Sequence, residues 1–182
     1  MSKPPVIRIL FIFGLYLCLA VGLSAQDEGG GVVAKLIESG NLILALLINL
    51  LTTALFASRV YRPEAAPGLG VAVQLTAIPA LAYSVFQIID GGSPLQIIPP
   101  LLWTVFVVFD IIVNSIAKIE FRNPADWRIL APFLILFYTS TVSLWASTWA
   151  NGLAPYLVTG GSYLLMAVFS IITRINEAKG SR

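Results

Sequence analysis

The chain has 182 residues, of which 58% are hydrophobic and 11% charged, with a mean hydropathy of +0.88. Soluble domains carry about 25% charged residues, so this little charge cannot coat a water-facing surface and the natural solvent is a bilayer. A net charge of +2 spread over loops gives no nucleic-acid surface, and the absence of histidine excludes histidine-ligated haem or metal and Ser-His or Cys-His catalysis within this chain.

A hydrocarbon core of roughly 30 Å takes about 20 apolar residues per helix. Runs near residues 6–25, 34–57, 69–89, 97–119, 129–149 and 153–173 meet that demand. The expected fold is therefore all-α: a polytopic integral membrane protein, one transmembrane domain over residues 1–182, with six transmembrane helices arranged as three hairpins. A faint rhythm accompanies them, since "RIL" at 8–10 returns at 128–130 and "VYRPEA" at 60–65 parallels "EFRNPA" at 120–125.

The first run opens on "MSKPPVIR" and ends among Gly22, Ser24 and Ala25, which gives it the look of a secretory signal. Its apolar stretch exceeds the about 7–15 residues of a signal core, and Leu23 spoils a small-x-small site at Ala25. It reads as a retained span. Tyr16 and the single cysteine, Cys18, are its sole polar interruptions, so a place on the rim of the bundle is expected and no intrachain disulfide can form.

Lipid tails are as apolar as leucine, so small and hydrogen-bonding residues, not apolarity, choose the packing faces. The second run sets Asn41, Ala45, Asn49, Thr53 and Ala57 in one row at four-residue spacing. The third does the same with Ala72, Thr76, Ala80 and Ser84, and Pro79 predicts a kink in it. "IDGGSP" around Asp90 reads as turn chemistry.

The fourth run carries Asp110 and, one turn on, Asn114. An acid near the centre of a span costs at least about 2.5–3.5 kcal/mol on insertion scales, so it should face protein or water, and such groups are functional candidates by default. Its expected partners are amides and hydroxyls of neighbouring spans: Asn49, Gln74, and Ser140 or Ser143. Pro99, Pro100, Pro132 and Pro155 are expected in first turns, where a missing amide hydrogen costs little.

The fifth run offers Thr139, Ser143 and Ser147, with Ala146 and Ala150 alongside, as a packing row. The sixth offers "TGGSY", where Gly160 and Gly161 would let a neighbour approach closely and the face continues to Ser170. Trp103, Trp127, Trp145 and Trp149 read mostly as interfacial anchors near span ends.

Placing the N-terminus in the cytoplasm puts Lys3, Arg8, Arg59, Arg62, Lys118, Arg122, Arg128, Arg174, Lys179 and Arg182 inside and Lys35 outside. Both termini are thus expected in the cytoplasm, and size and loop charge point to a bacterial plasma membrane. Paired acids of the GxGD type, a C-x-x-C pair and a phosphate loop are missing from the sequence. No enzyme activity, cofactor or metal is expected.

Two functional readings remain. In the first, the chain binds or transports a small solute or ion through a midplane polar cluster of Asp110 and Asn114, helped by Asn49, Gln74 and Ser143. In the second, it is a non-catalytic structural or assembly subunit of a larger membrane complex. Its expected partners are the lipid bilayer and other membrane subunits or a second copy, not nucleic acid. Size and six-span layout are similar to those of the substrate-binding subunits of vitamin transporters, a likeness of architecture that no motif accompanies.

Overall fold

Proline and polar caps decide where the helices start and break. In the computed structural model, residues 39–121 and 126–180 are described. The first expected span, with Tyr16 and Cys18, and the basic residues Lys3, Arg8, Lys35, Arg122 and Arg182 lie outside them. The described residues form helices and turns with no strand. Helix α1 covers Gly40–Tyr61, and a single turn at Pro63–Ala65 leads into α2, Ala66–Leu75, and α3, Ala77–Ile89. Helix α4 covers Pro94–Asp110 and continues as a π-helical segment, Ile111–Ile116. Helix α5 covers Trp127–Ser147, a 3-10 turn follows at Thr148–Asn151, and α6 runs Leu153–Gly180.

Five stretches are long and apolar enough to cross a membrane: Gly40–Tyr61, Pro63–Ile89, Pro94–Ile116, Trp127–Asn151 and Leu153–Asn176. Large apolar side chains such as Ile78, Val105, Val108, Leu164 and Ile171 remain exposed on their outer faces, as an integral membrane location requires. The described basic side chains Arg59, Arg62, Lys118, Arg128 and Arg174 all fall at one end of these stretches.

The second stretch breaks where Pro79 dictates. Pro79 has no amide hydrogen for the carbonyl four residues back, at Leu75, and its ring crowds that turn. The helix is interrupted at Thr76, whose hydroxyl donates to the Val73 carbonyl at 2.6 Å. The Trp103 indole N–H in turn donates to the Thr76 hydroxyl at 2.8 Å. Trp103 is thereby fully buried and is no interfacial anchor, a correction to the sequence reading. Trp127 and Trp149 are exposed near span ends, as anchors should be.

The prolines also need correcting. Helix α4 begins at Pro94, behind the N-cap Ser93, whose amide donates to the Gln96 side chain at 2.9 Å. Pro99 and Pro100 therefore lie inside the helix, past its first turn, and so does Pro132 in α5. Pro99 leaves the Leu95 carbonyl without its helical donor. The Asn41 side-chain amide supplies the replacement from α1 at 3.1 Å. Pro155 sits in the first turn of α6 as expected.

Helix α1 is the central element, with 14 of its 22 residues buried. The whole row Asn41, Ala45, Asn49, Thr53 and Ala57 is among them. Its broadest partner is α6, which runs parallel to it: Asn49 Nδ2 donates to Ser162 Oγ at 3.0 Å, and further along Thr173 Oγ1 donates to the Phe56 carbonyl at 3.0 Å. Helix α4 packs broadly on both α3 and α5, while α5 meets α6 more narrowly. Ser84 of α3 donates to its own Ala80 carbonyl at 3.0 Å and to Ile97 of α4 at 3.3 Å.

In α5 the expected row is buried only in part, with Ser147 buried and Ser143 half-buried. Thr139, Ala146 and Ala150 are exposed, while Phe133, Phe137, Ser140, Thr141, Leu144 and Ser147 are buried. Phe133 and Phe137 pack on Phe106 of α4 with ring centroids 5.2 and 5.3 Å apart. Ring contacts gather more dispersion than a seam of alanine and threonine, and they turn α5 accordingly. On α6, Gly160 makes room for the Trp145 indole rather than for a backbone. A Cβ there would fall 2.9 Å from Trp145 Nε1. The indole stacks between Tyr156 and Tyr163 at 5.1 and 5.5 Å and donates to the Tyr156 carbonyl at 3.0 Å.

Candidate functional site

Asp110 closes the regular part of α4, and the chain then widens into the π segment that carries Asn114. Within that segment the Ala117 amide reaches back five residues to the Ile112 carbonyl at 2.8 Å. Lys118 ends it in the left-handed region at φ 50°, an uncommon backbone for a residue with a side chain. Short π segments inside α-helices occur frequently at functional sites.

Both carboxylate oxygens of Asp110 receive amide hydrogens. Asn114 Nδ2 donates to Oδ1 at 2.7 Å and Gln74 Nε2 donates to Oδ2 at 2.9 Å. Gln74 comes from α2, two residues before the break at Thr76. Each amide also carries a carbonyl oxygen, an acceptor by its chemistry. Asp110, Asn114 and Gln74 are each half-buried.

The three side chains line a partly open cavity of about 210 Å³ to which α1, α2, α4, α5 and α6 contribute residues. One wall is apolar: Leu55, Val73, Phe106, Phe133 and Phe137. Thr52, Ser170 and Thr173 add hydroxyls: Thr52 donates to the Ile48 carbonyl of its own helix, Thr173 to the Phe56 carbonyl of α1, and Ser170 shares a hydrogen bond with the Tyr138 hydroxyl of α5 at 3.4 Å. Arg59 of α1 and Arg174 of α6 bring two guanidinium groups to the same space. The Arg59 guanidinium carbon lies 5.8 Å from the Phe56 ring centroid, over a second ring that lines the cavity. Gly70 of α2 completes the lining, and a Cβ added to it meets no atom within 4 Å.

The structure brings together Asp110, Asn114 and Gln74 from the expected set, and separates the other two. Asn49 is fully buried in the α1–α6 seam and bonds Ser162. Ser143 donates to its own Ser140 carbonyl at 2.8 Å and does not line the cavity. The site also sits off the midplane. Asp110 is followed by six residues before its span ends at Ile116, about 9 Å of helix.

Arg59 and Arg174 entered the sequence reading as orientation charges alone. A signal for them existed: Thr52, Leu55, Phe56 and Arg59 follow the spacing of one helical face, and Arg174 lies one turn beyond Ser170. Among the described residues no group of three or more His, Cys, Asp or Glu is placed to hold a metal ion. What lines the space chemically is one carboxylate flanked by amides, two guanidinium groups and an aromatic surface. No family model, no curated protein and no solved structure matches this chain.

Proposed function

We propose that the chain is a small integral membrane protein that binds or carries a small solute through the Asp110 cavity. The supporting observation is convergence: an acid that is costly within a membrane span and two arginines from span ends come from three different helices to line one space. A volume of about 210 Å³ falls below the range of drug-sized pockets, roughly 300–1,000 Å³. That favours a small solute. Binding fits the lining better than catalysis, because Asp110 has amides and guanidinium groups beside it and no second acid or base of moderate pKa.

The basic end of the bundle is read as cytoplasmic by the positive-inside rule. With the first run counted as a sixth span, both termini lie there, and the spans fall into three hairpins. A bacterial plasma membrane remains the natural setting for a chain of this size and loop charge.

The test uses Gly70. Gly70 lines the cavity and a Cβ built on it meets no atom within 4 Å, so a leucine there is expected to occupy the cavity. Wild-type and Gly70→Leu protein are purified from native membrane, and the small molecules each retains are extracted and identified by mass. The expected result is a species held by the wild type and lost from Gly70→Leu and from Asp110→Asn, with melting temperatures alike. Identical extracts from all three would end the proposal.

A second reading, that of an assembly subunit, draws on the outward row of α5. Thr139, Ala146 and Ala150 are small or polar and exposed, the kind of surface through which membrane helices associate. Under that reading Ala146→Trp releases a stoichiometric partner on purification, and Gly70→Leu does not.

A further inference from the structure

Helix α2 differs from the rest of the bundle in how little holds it. One of its 10 residues, Val73, is buried, against 14 of the 22 in α1. Apart from its chain neighbours, it packs broadly on α1 alone among the described elements. A Cβ added at Gly68 or Gly70 meets no atom within 4 Å, so open space lies beside both positions.

The backbone breaks at each of its ends. Before it, Arg62 leaves the helical region at φ −153° and ψ 71°, between α1 and the Pro63–Ala65 turn. After it, the Thr76 amide donates to the Val73 carbonyl at 3.2 Å, three residues back in place of four. Pro79 has no amide hydrogen for the Leu75 carbonyl, so the helix is not rejoined there. Thr76 is itself buried and held by the Trp103 indole, which makes the second break a fixed pivot. The cavity-lining residues of α2 are Gly70, Val73 and Gln74, spaced as one side of a helix. Gln74 is the sole polar side chain in "APGLGVAVQL", and it donates to Asp110 of α4 at 2.9 Å.

From this we infer that α2 is a gate on the cavity. It moves on the breaks at Arg62 and Thr76, and the Gln74–Asp110 hydrogen bond latches it closed. A span broken beside a cavity is tolerated in a membrane because protein or water serves the freed backbone groups, and transporter sites are commonly built on such half-helices. A hydrogen bond between membrane helices shifts an equilibrium by roughly threefold on average, which suits a latch that must also release. The gate goes beyond the solute-binding reading, and its test needs no ligand.

The reporter is Ser170→Cys, at a cavity-lining position of α6, with the single native cysteine removed as Cys18→Ser. Its rate of reaction with a charged, membrane-impermeant methanethiosulfonate is measured on the full chain in phosphatidylcholine nanodiscs. A second reporter, Ser162→Cys, lies in the buried α1–α6 seam. Gln74→Met keeps the length of the side chain and loses the donor, so it should speed labelling at position 170 by roughly threefold or more. Asp110→Leu should do the same. The two combined should add little to either alone, because each removes one shared bond. Pro79→Ala restores the missing amide hydrogen and should slow labelling. Position 162 should stay unreactive throughout.

Equal rates at position 170 in all variants would overturn the gate. A matching rise at position 162 would overturn it too, since the whole bundle would then have loosened. Neither outcome depends on whether Gly70→Leu loses a retained solute, so the gate and the solute-binding reading can each fail alone.

Discussion

Two sets of polar side chains interrupt this apolar bundle, and they differ in what surrounds them. Where α6 meets α1 and the turn after α5, Asn49, Thr148 and Thr159 are each 0% exposed, and Ser162 is 4% exposed. Their bonds go to one another or to helix carbonyls: Asn49 to Ser162 at 3.0 Å, and Thr148 with Thr159 at 2.7 Å. Around Asp110 the side chains are half-buried and border open volume. The seam places its side chains in protein on every side, whereas the Asp110 side chains border open volume. The difference lies in what stands beside each polar group once its protein hydrogen bonds are made.

That contrast is sharpened most by breaking the element between the two regions. Trp103 fills the space beside the Thr76 break and is 0% exposed. Trp103→Ala should lower stability by about 3–5 kcal/mol, the cost of deleting a large buried ring, read as a fall in melting temperature in detergent. Next comes Asn41→Leu, which leaves the Leu95 carbonyl without the donor that Pro99 denies it. A loss of about 1 kcal/mol, the net worth of one hydrogen bond, is expected, offset in part because leucine also removes the unpartnered buried Asn41 Oδ1. A melt indistinguishable from wild type would show that water or another group serves that carbonyl.

Asn49→Leu should cost less, about 0.6 kcal/mol, the average for an interhelical bond in a membrane. Its Oδ1 is buried without a partner, so leucine removes an unsatisfied atom along with the bond. The smallest effect on stability belongs to Gly70→Leu. A change within about 0.5 kcal/mol is expected where an added Cβ meets no atom within 4 Å, combined with the complete loss of ligand. Were Asn49→Leu to abolish ligand retention and Gly70→Leu to preserve it, the seam and not the cavity would be the functional region.

Much of the architecture was legible in the residues. The row from Asn41 to Ala57 on α1 is buried throughout, and Pro79 breaks its span one turn back, at Thr76. Gln74 and Asn114 were both expected near Asp110, and both donate to it. Other features were not legible. Asn49 and Gln74 are equally plausible partners for an acid when nothing fixes the rotation of α1 against α4. Trp103, a few residues inside its run, resembles an anchor until a neighbouring hydroxyl is seen to meet it. The outward turn of Thr139 and Ala146 follows from ring packing at Phe133 and Phe137, which no spacing of small residues reveals.

By itself, the chain's apolar length and proline placement determined that it forms membrane-spanning helices and where one of them must break. These are local properties: the reach of a helix across hydrocarbon and the absence of a proline amide hydrogen act within a few residues. Only the tertiary structure decided that α1 is central, that Asn49 belongs to a seam, and that Arg59 and Arg174 share a cavity with Asp110. Apolar pattern cannot encode rotation in a solvent as apolar as the core, so the facing of each helix is settled by contacts between distant residues.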